Sequence, residues 1–386
     1  MENNKTPKIR FKGFTDPWEQ RKVSEIGNII TGSTPKTSIS DNYGGGFLFV
    51  SPADIKGNRY VDETITTLTK KGFDQCRKIR EKASLFVSIG STIGKVAQTS
   101  QESTTNQQIN AVEPYDNFDD DFIFSSLENI SGSIKAIASN QAVPIVNKTT
   151  FGETEIKVPS ELLEQQKIGA YFRNLDNLVT LHQRKYNKLL NVKKSMLEKM
   201  FPKNGSNIPE IRFKGFTDPW EQRKFGDVGS VSMCKRIFKN ETSDGGDIPF
   251  YKIGTFGGEP DAYISRELFE EYKKKFSYPN EGDILLSASG TIGRIVEYTG
   301  EDAYFQDSNI VWLSHDKSIC NKFLKVLYPT VKWDGIEGST IKRLYNDNFL
   351  KTQFMMPKIE EQERLGEYFE QLDHLITLHQ REWKGK

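Results

Sequence analysis

The sequence predicts an α/β protein of two similar domains, related by pseudo-two-fold symmetry and set apart by a helical spacer. Three observations carry this. Residues 7–22, PKIRFKGFTDPWEQRK, return at 209–224 as PEIRFKGFTDPWEQRK, with only Lys8/Glu210 differing. Between the copies, short apolar runs alternate with Gly, Ser, Pro and Asn clusters, the pattern of strands joined by polar loops. Residues 161–200 then hold no Pro and one Gly, with apolar residues at helical spacing. A repeat of about 200 residues is far longer than a solenoid unit, so each copy is a domain plus its connection.

The bulk numbers fit a globular protein. Of 386 residues, 36% are hydrophobic and 27% charged, enough for two or three domains. No apolar run is long enough to cross a membrane, and the start, MENNKTPKIRFK, lacks the apolar core of a secretion signal. Three scattered cysteines, Cys76, Cys234 and Cys320, and four dispersed histidines suggest reduced thiols, a cytoplasmic location and no metal site. A net charge of +1 means that any basic surface is local.

Down the first copy, Asn28–Ile30 and Phe47–Val50 read as strands. Residues 83–98 read as strand, Gly-rich turn and strand, and TTNQQINAVEP as a strand opening on amides. Residues 118–139 have helix-like spacing, and VPIVNKTTFGETEIKVP returns to strand or loop. From Glu161, Ile168, Phe172, Leu175, Val179, Tyr186, Leu189, Met196 and Met200 form a stripe broken by His182 and Lys193. Leu178, Leu181, Leu190 and Leu197 widen it. The result is an amphipathic helix of about 40 residues, roughly 60 Å long, for which a coiled-coil partner is expected. Phe201-Pro202 ends it, and KNGSN links to the second box.

The second copy keeps this order. ILLSASGTIGRIVEY (284–298) matches LFVSIGSTIGKVAQ, and FQDSNIVWL (305–313) matches NQQINAV. KIEEQERLGEYFEQLDHLITLHQR (358–381) equals ELLEQQKIGAYFRNLDNLVTLHQR (161–184) at 13 of 24 positions. Boxes and helices are constant while the middles diverge, as in two copies of one binder that read different things. The boundaries follow: a first domain at 1–160, spacer helix and linker at 161–204, a second domain at 205–357 and a C-terminal helix at 358–386. That last helix runs five residues past Arg381, about four turns less than its counterpart. Either the coiled coil needs one long strand at that end, or the chain is cut short.

The doubled KGFTDPWEQRK box, the TGSTP loop, the Gly-Thr-Ile-Gly hairpin followed by NQQIN or QDSNI, and the EQxxxGxYFxxLDxLxTLHQR helix resemble the specificity subunit of a type I restriction–modification system. The resemblance covers essentially the whole chain. It implies two target-recognition domains held apart by long antiparallel coiled-coil helices, each domain reading half of a bipartite site in double-stranded DNA. It implies two methyltransferase subunits carried on the helices and restriction/translocase subunits joining through the complex. No catalysis or cofactor is implied in this chain; S-adenosylmethionine, ATP and Mg²⁺ belong to the partners. The short C-terminal helix departs from the family's pattern.

Amides and Arg suit bidentate base contacts, and Lys and Arg anchor on phosphates. The loops offer Thr31, Ser33, Thr34, Lys36, Lys56, Asn58, Arg59, Ser91, Thr92, Lys95, Asn106, Gln107 and Gln108 in the first domain. In the second they offer Lys235, Arg236, Lys239, Lys252, Thr255, Ser289, Thr291, Arg294, Gln306, Asp307, Ser308, Lys342 and Arg343. On the constant helices Gln165, Tyr171, Phe172 and their equivalents Gln362, Tyr368 and Phe369 are the candidates for a partner subunit. Two sites on one face of B-DNA lie about 34 Å or 10 bp apart, within reach of such a spacer.

Other motifs have plainer readings. GSTIGK (90–95) has three residues between its glycines where a phosphate-binding P-loop has four, and Val96 follows its Lys. A hairpin turn fits better. Asp16-Pro17-Trp18 and Asp218-Pro219-Trp220 lack the second Pro of the amino-methyltransferase motif, and a turn with a packing Trp fits better. His182 and His379 read as polar register positions. Glu164, Gln165, Glu361 and Gln362 are placed either to cap helix starts or to meet a partner. The seven basic residues of Arg184–Lys203 read as a solvated face, with a DNA-backbone or subunit contact as the second reading. The competing functions are a fused methyltransferase or nuclease and a structural coiled-coil adaptor.

Overall fold

The computed structural model describes residues 7–138, 145–203, 205–338 and 342–384. The start Met1–Thr6, Asn204 of the linker, Val143-Pro144 and the final Gly385-Lys386 lie outside these. The chain divides into two compact units, 1–183 and 184–386, the cut falling inside the long helix.

The strands of the first unit are β1 (Glu19–Lys22), β2 (Gly27–Thr31), β3 (Tyr43–Val50), β4 (Tyr60–Val61), β5 (Thr67–Leu68), β6 (Ser84–Val87), β7 (Val96–Thr99), β8 (Thr104–Thr105), β9 (Ile109–Pro114) and β10 (Glu155–Val158). Its helices are α1 (Val23–Ile26), α2 (Lys70–Phe73), α3 (Asp120–Ala138), α4 (Lys148–Gly152) and α5 (Leu162–Lys199), the last running on into the second unit. The second unit adds β11 (Glu221–Lys224), β12 (Gly229–Ser232), β13 (Ile248–Tyr251), β14 (Tyr263–Ile264), β15 (Ile284–Ser287), β16 (Ile295–Glu297), β17 (Tyr304–Phe305), β18 (Ile310–His315) and β19 (Gln353–Met356). Its helices are α6 (Phe225–Val228), α7 (Arg266–Lys275), α8 (Asn321–Leu327), α9 (Asn346–Lys351) and α10 (Ile359–Lys384).

The two units repeat one topology. A larger sheet runs β2-β9-β6-β7-β4 in the first and β12-β18-β15-β16 in the second. A three-stranded sheet runs β5-β3-β8 and β14-β13-β17. The central strands β6, SLFV, and β15, ILLS, are apolar but for one Ser each and buried along their whole length, as expected of strands covered on both faces. The turns after them need glycines. Gly90 and Gly94 have φ of +97° and +91°, and Gly290 and Gly293 have +69° and +87°, a region that costs a residue with a Cβ.

The doubled box is the frame of each unit. Its end forms β1, paired antiparallel with β10 just before α5; its copy β11 pairs with β19 just before α10. Arg10 donates to both carboxylate oxygens of Glu164 at 2.6 and 2.8 Å, and Arg212 to both of Glu361 at 2.7 Å. Both glutamates are nearly inaccessible, and this bond raises both guanidinium pKa values. Trp18 meets Phe122 edge-on at 5.7 Å, as Trp220 meets Phe323 at 6.0 Å. The Asp-Pro-Trp turns are therefore packing turns.

Candidate nucleic-acid interface

Four strand ends meet at one rim of the larger sheet. In the first unit these are the end of β2, the end of β6, the start of β7 and the start of β9. The polar loops that the sequence singles out leave from these ends and bond to one another. Thr31 donates to Asn110 Oδ1 at 2.6 Å, and Asn110 donates to Ser88 Oγ at 2.8 Å. Thr34 donates to Gln107 Oε1 at 2.6 Å, and Asn106 donates to Gln108 Oε1 at 2.9 Å. Gly32 lets the loop lie on Thr105 and Asn106, since a Cβ there would fall 2.1 Å from Asn106 O. Ser91 and Thr92 form the turn beside Gln108, and Lys95 is held by Ile55 O at 2.9 Å.

The second unit builds the same rim from different side chains. Ser289 donates to Asn309 Oδ1 at 2.7 Å, and the Gln306 amide oxygen accepts from Ile253 N at 2.8 Å. Arg236 pairs with Asp307 at 2.6 Å, and Lys252 with Asp261 at 2.9 Å. Arg294 reaches Gly257 O at 3.2 Å, and Thr255 bonds to the Lys252 backbone. The backbone of Lys342 and Arg343 bridges to Gly290 and Ser289. Ser308, Thr291, Lys342 and Arg343 are exposed, while Ser289 is buried beneath them as a support. Lys235 lies over the Phe276 ring at 5.1 Å, and Lys239 is exposed.

Three sequence expectations are corrected. Arg59 is not on the rim. Its side chain is 2% exposed and bonds Asp121 at 2.8 Å, Asp176 at 3.0 Å and Gln98 at 2.9 Å, stacked over Phe124. A charge that enclosed is kept because it is fully paired, so Arg59 joins the domain to α5. Its neighbours Lys56 and Asn58 stay exposed, as expected of loop residues; Lys56 pairs loosely with Glu63, and Lys95 of the hairpin holds the adjacent Ile55 O. Gln165 and Gln362 are interior: each accepts from the chain entering a helix of its domain, Asp119 N before α3 and Cys320 N before α8, and donates to Pro159 O or Pro357 O. Phe369 is likewise core, 1% exposed, with Leu197 and Met200 among its cluster. Its equivalent Phe172 stays 44% exposed beside Tyr171, which carries Phe11 of the box at 6.1 Å, as Tyr368 carries Phe213 at 5.8 Å.

The sequence reading missed Arg77, which donates to Thr31 O at 2.8 Å while its N–H binds Ser33 Oγ. It also missed the supports Ser88, Asn110 and Asn309. The pairing of Asn110 with Asn309 across the repeats was a signal that could have found the last two. Among the described residues no group of three His, Cys, Asp or Glu could hold a metal, and no helix is long and apolar enough to cross a membrane.

A doubled sheet scaffold with a polar, loop-built rim on each copy defines a two-headed recognition protein. The model of the type I restriction modification DNA specificity domain matches residues 15–191 and again 217–384, and the chain belongs to that family. The chain is 58% identical over 158 residues to a candidate type I restriction enzyme specificity subunit of Haemophilus influenzae, covering 40% of this chain and 41% of that one. It is 25% identical over 290 residues to the MjaIX specificity subunit of Methanocaldococcus jannaschii, covering 71% of this chain and 66% of that one. The chain thus spans less than two thirds of either relative. A crystal structure of the type I restriction–modification S subunit of M. genitalium shares the fold, with a TM-score of 0.65 at 14% identity over 98% of this chain and 95% of that one.

Proposed function

We propose that this chain is the non-catalytic specificity subunit of a type I restriction–modification complex. Each rim reads half of a split site in double-stranded DNA, with an unread spacer between the halves. Methyltransferase subunits, two by the repeat of the helix, act on adenine at that site. Restriction/translocase subunits cleave when they join. S-adenosylmethionine, ATP and Mg²⁺ serve those partners, and the complex works in the cytoplasm. One observation supports this above the rest: the frame is nearly identical in the two copies, while the rims carry different side chains on the same strand ends. Amides, hydroxyls and cations are the groups that read base edges and hold phosphates. The exposed Tyr171-Phe172 surface is a candidate seat for a methyltransferase subunit.

The test is gel-shift of duplex DNA by the chain with its methyltransferase partner, against libraries of split sites. Selective retention of one split motif supports the reading. An adaptor would retain none, and methylation by the purified chain alone would indicate an enzyme.

A further inference from the structure

The joint between each recognition domain and its own helix is built from equivalent residues. Gln165 and Gln362 hold Asp119 N and Cys320 N. One turn on, Gly169 and Gly366 let the helix press against the domain. A Cβ on Gly169 would lie 2.3 Å from Asp119 Oδ1 and 2.9 Å from Asp121 Cβ, and one on Gly366 would lie 2.4 Å from Lys322 Cβ. The joint is tight at this point, so side chains beside it have little room to turn away.

This register pairs Asp121 with Lys322 on the domains, and Arg173 with Glu370 on the helices. At these positions the charges are reversed. In the first unit Asp121 bonds Arg173 at 2.6 Å; in the second Lys322 bonds Glu370 at 3.2 Å. Asp121 also bonds Arg59 at 2.8 Å, a residue that travels with the domain; Arg59 in turn bonds Asp176 of the helix at 3.0 Å, and the Asp119 carboxylate lies against Gly169. At the second joint Asp373 faces Lys193 at 2.5 Å, and Lys325 faces Glu297 at 2.6 Å.

We propose that this reversed ion pair is a matching code that seats each recognition domain on its own helix. A domain on the wrong helix would set Asp121 against Glu370, or Lys322 against Arg173. Like charges held close cost free energy even where the matched pair adds little. A domain moved between the two positions therefore seats well only when residues 173 and 370 are exchanged with it. Arg173 and Glu370 are positioning residues in this scheme, and the scheme holds whatever the domains bind.

The test uses four full-length chains. Two keep the native order and two trade residues 23–158 for 225–356. In each order one chain has native helices and one carries Arg173→Glu with Glu370→Arg. Thermal midpoints are read. The helix substitutions lower the midpoint in the native order and raise it in the traded order, by about 2–4 °C. A shift of the same sign in both orders overturns the proposal. Should the traded chains not fold, the native order still decides. Lys322→Glu and Glu370→Lys singly each lower the midpoint, and together they restore it; additive losses overturn the code.

Discussion

Arg59 separates structural from DNA-binding cations most sharply. Arg59→Met keeps an apolar stem over Phe124 and removes the charge. Asp176, Gln98 and part of Asp121 then lose their partner in a nearly closed site. Removing one member of a buried pair costs about 3–5 kcal/mol. Asp121 keeps Arg173 at 2.6 Å, and Asp176 is about a quarter exposed, so the low end, about 3 kcal/mol, applies. In a unit of 183 residues that lowers the melting midpoint by about 6–12 °C. The assay is scanning calorimetry with a parallel titration of duplex DNA at several salt concentrations. The structural role predicts a large midpoint loss and an unchanged salt slope. An unchanged midpoint with a slope smaller by about one unit would show that Arg59 is a phosphate contact and refute the reasoning.

Further outcomes follow from the same geometry. Phe369→Ser removes a core ring and lowers stability by about 3–5 kcal/mol, while Phe172→Ser, at an exposed site, leaves the midpoint nearly unchanged and weakens capture of the methyltransferase subunit in a pull-down. Arg10→Ala and Arg212→Ala loosen the box from its helix, read as a lower midpoint with the methylated motif unchanged. Burial pushes the Cys234 thiol up to about 12 from 9.0, so native Cys234 resists alkylation at pH 8 and labels after unfolding. The folded thiol holds its proton more tightly, so its contribution to stability is present below about pH 9 and lost as pH rises towards 12. Gln107→Ala and Gln306→Ala each relax the motif in one half-site only, whereas Lys36→Ala weakens binding to all sequences and shallows the salt slope.

Much of the fold is legible in the sequence because the chain carries its own comparison. Buried central strands leave continuous apolar runs such as LFV and ILL, and glycines flag the turns after them. The helix at 162–199 is visible because its stripe is long. The short helices α4 and α9 are not, because five or six residues make no period. The helix α7 carried a readable signal in Ser265, which caps Leu268 N, but its charged face hid a single buried ring, Phe269. At the rim, loop composition found the converging amides. It placed Arg59 wrongly because a charged residue two positions past a Gly reads as a loop tip, whereas its partners Asp121 and Asp176 lie 62 and 117 residues away. Burial of that kind is a tertiary fact. The box, the most repeated stretch, is the frame, since a segment alike in both copies cannot tell two targets apart.

The most direct measurement maps N6-methyladenine at base resolution in a host carrying this chain and its methyltransferase partner. It is repeated with the chain whose residues 23–158 and 225–356 are traded. The account predicts two short half-sites around a fixed unread spacer, with their order reversed by the trade. One continuous motif, or a motif unchanged by the trade, would contradict it.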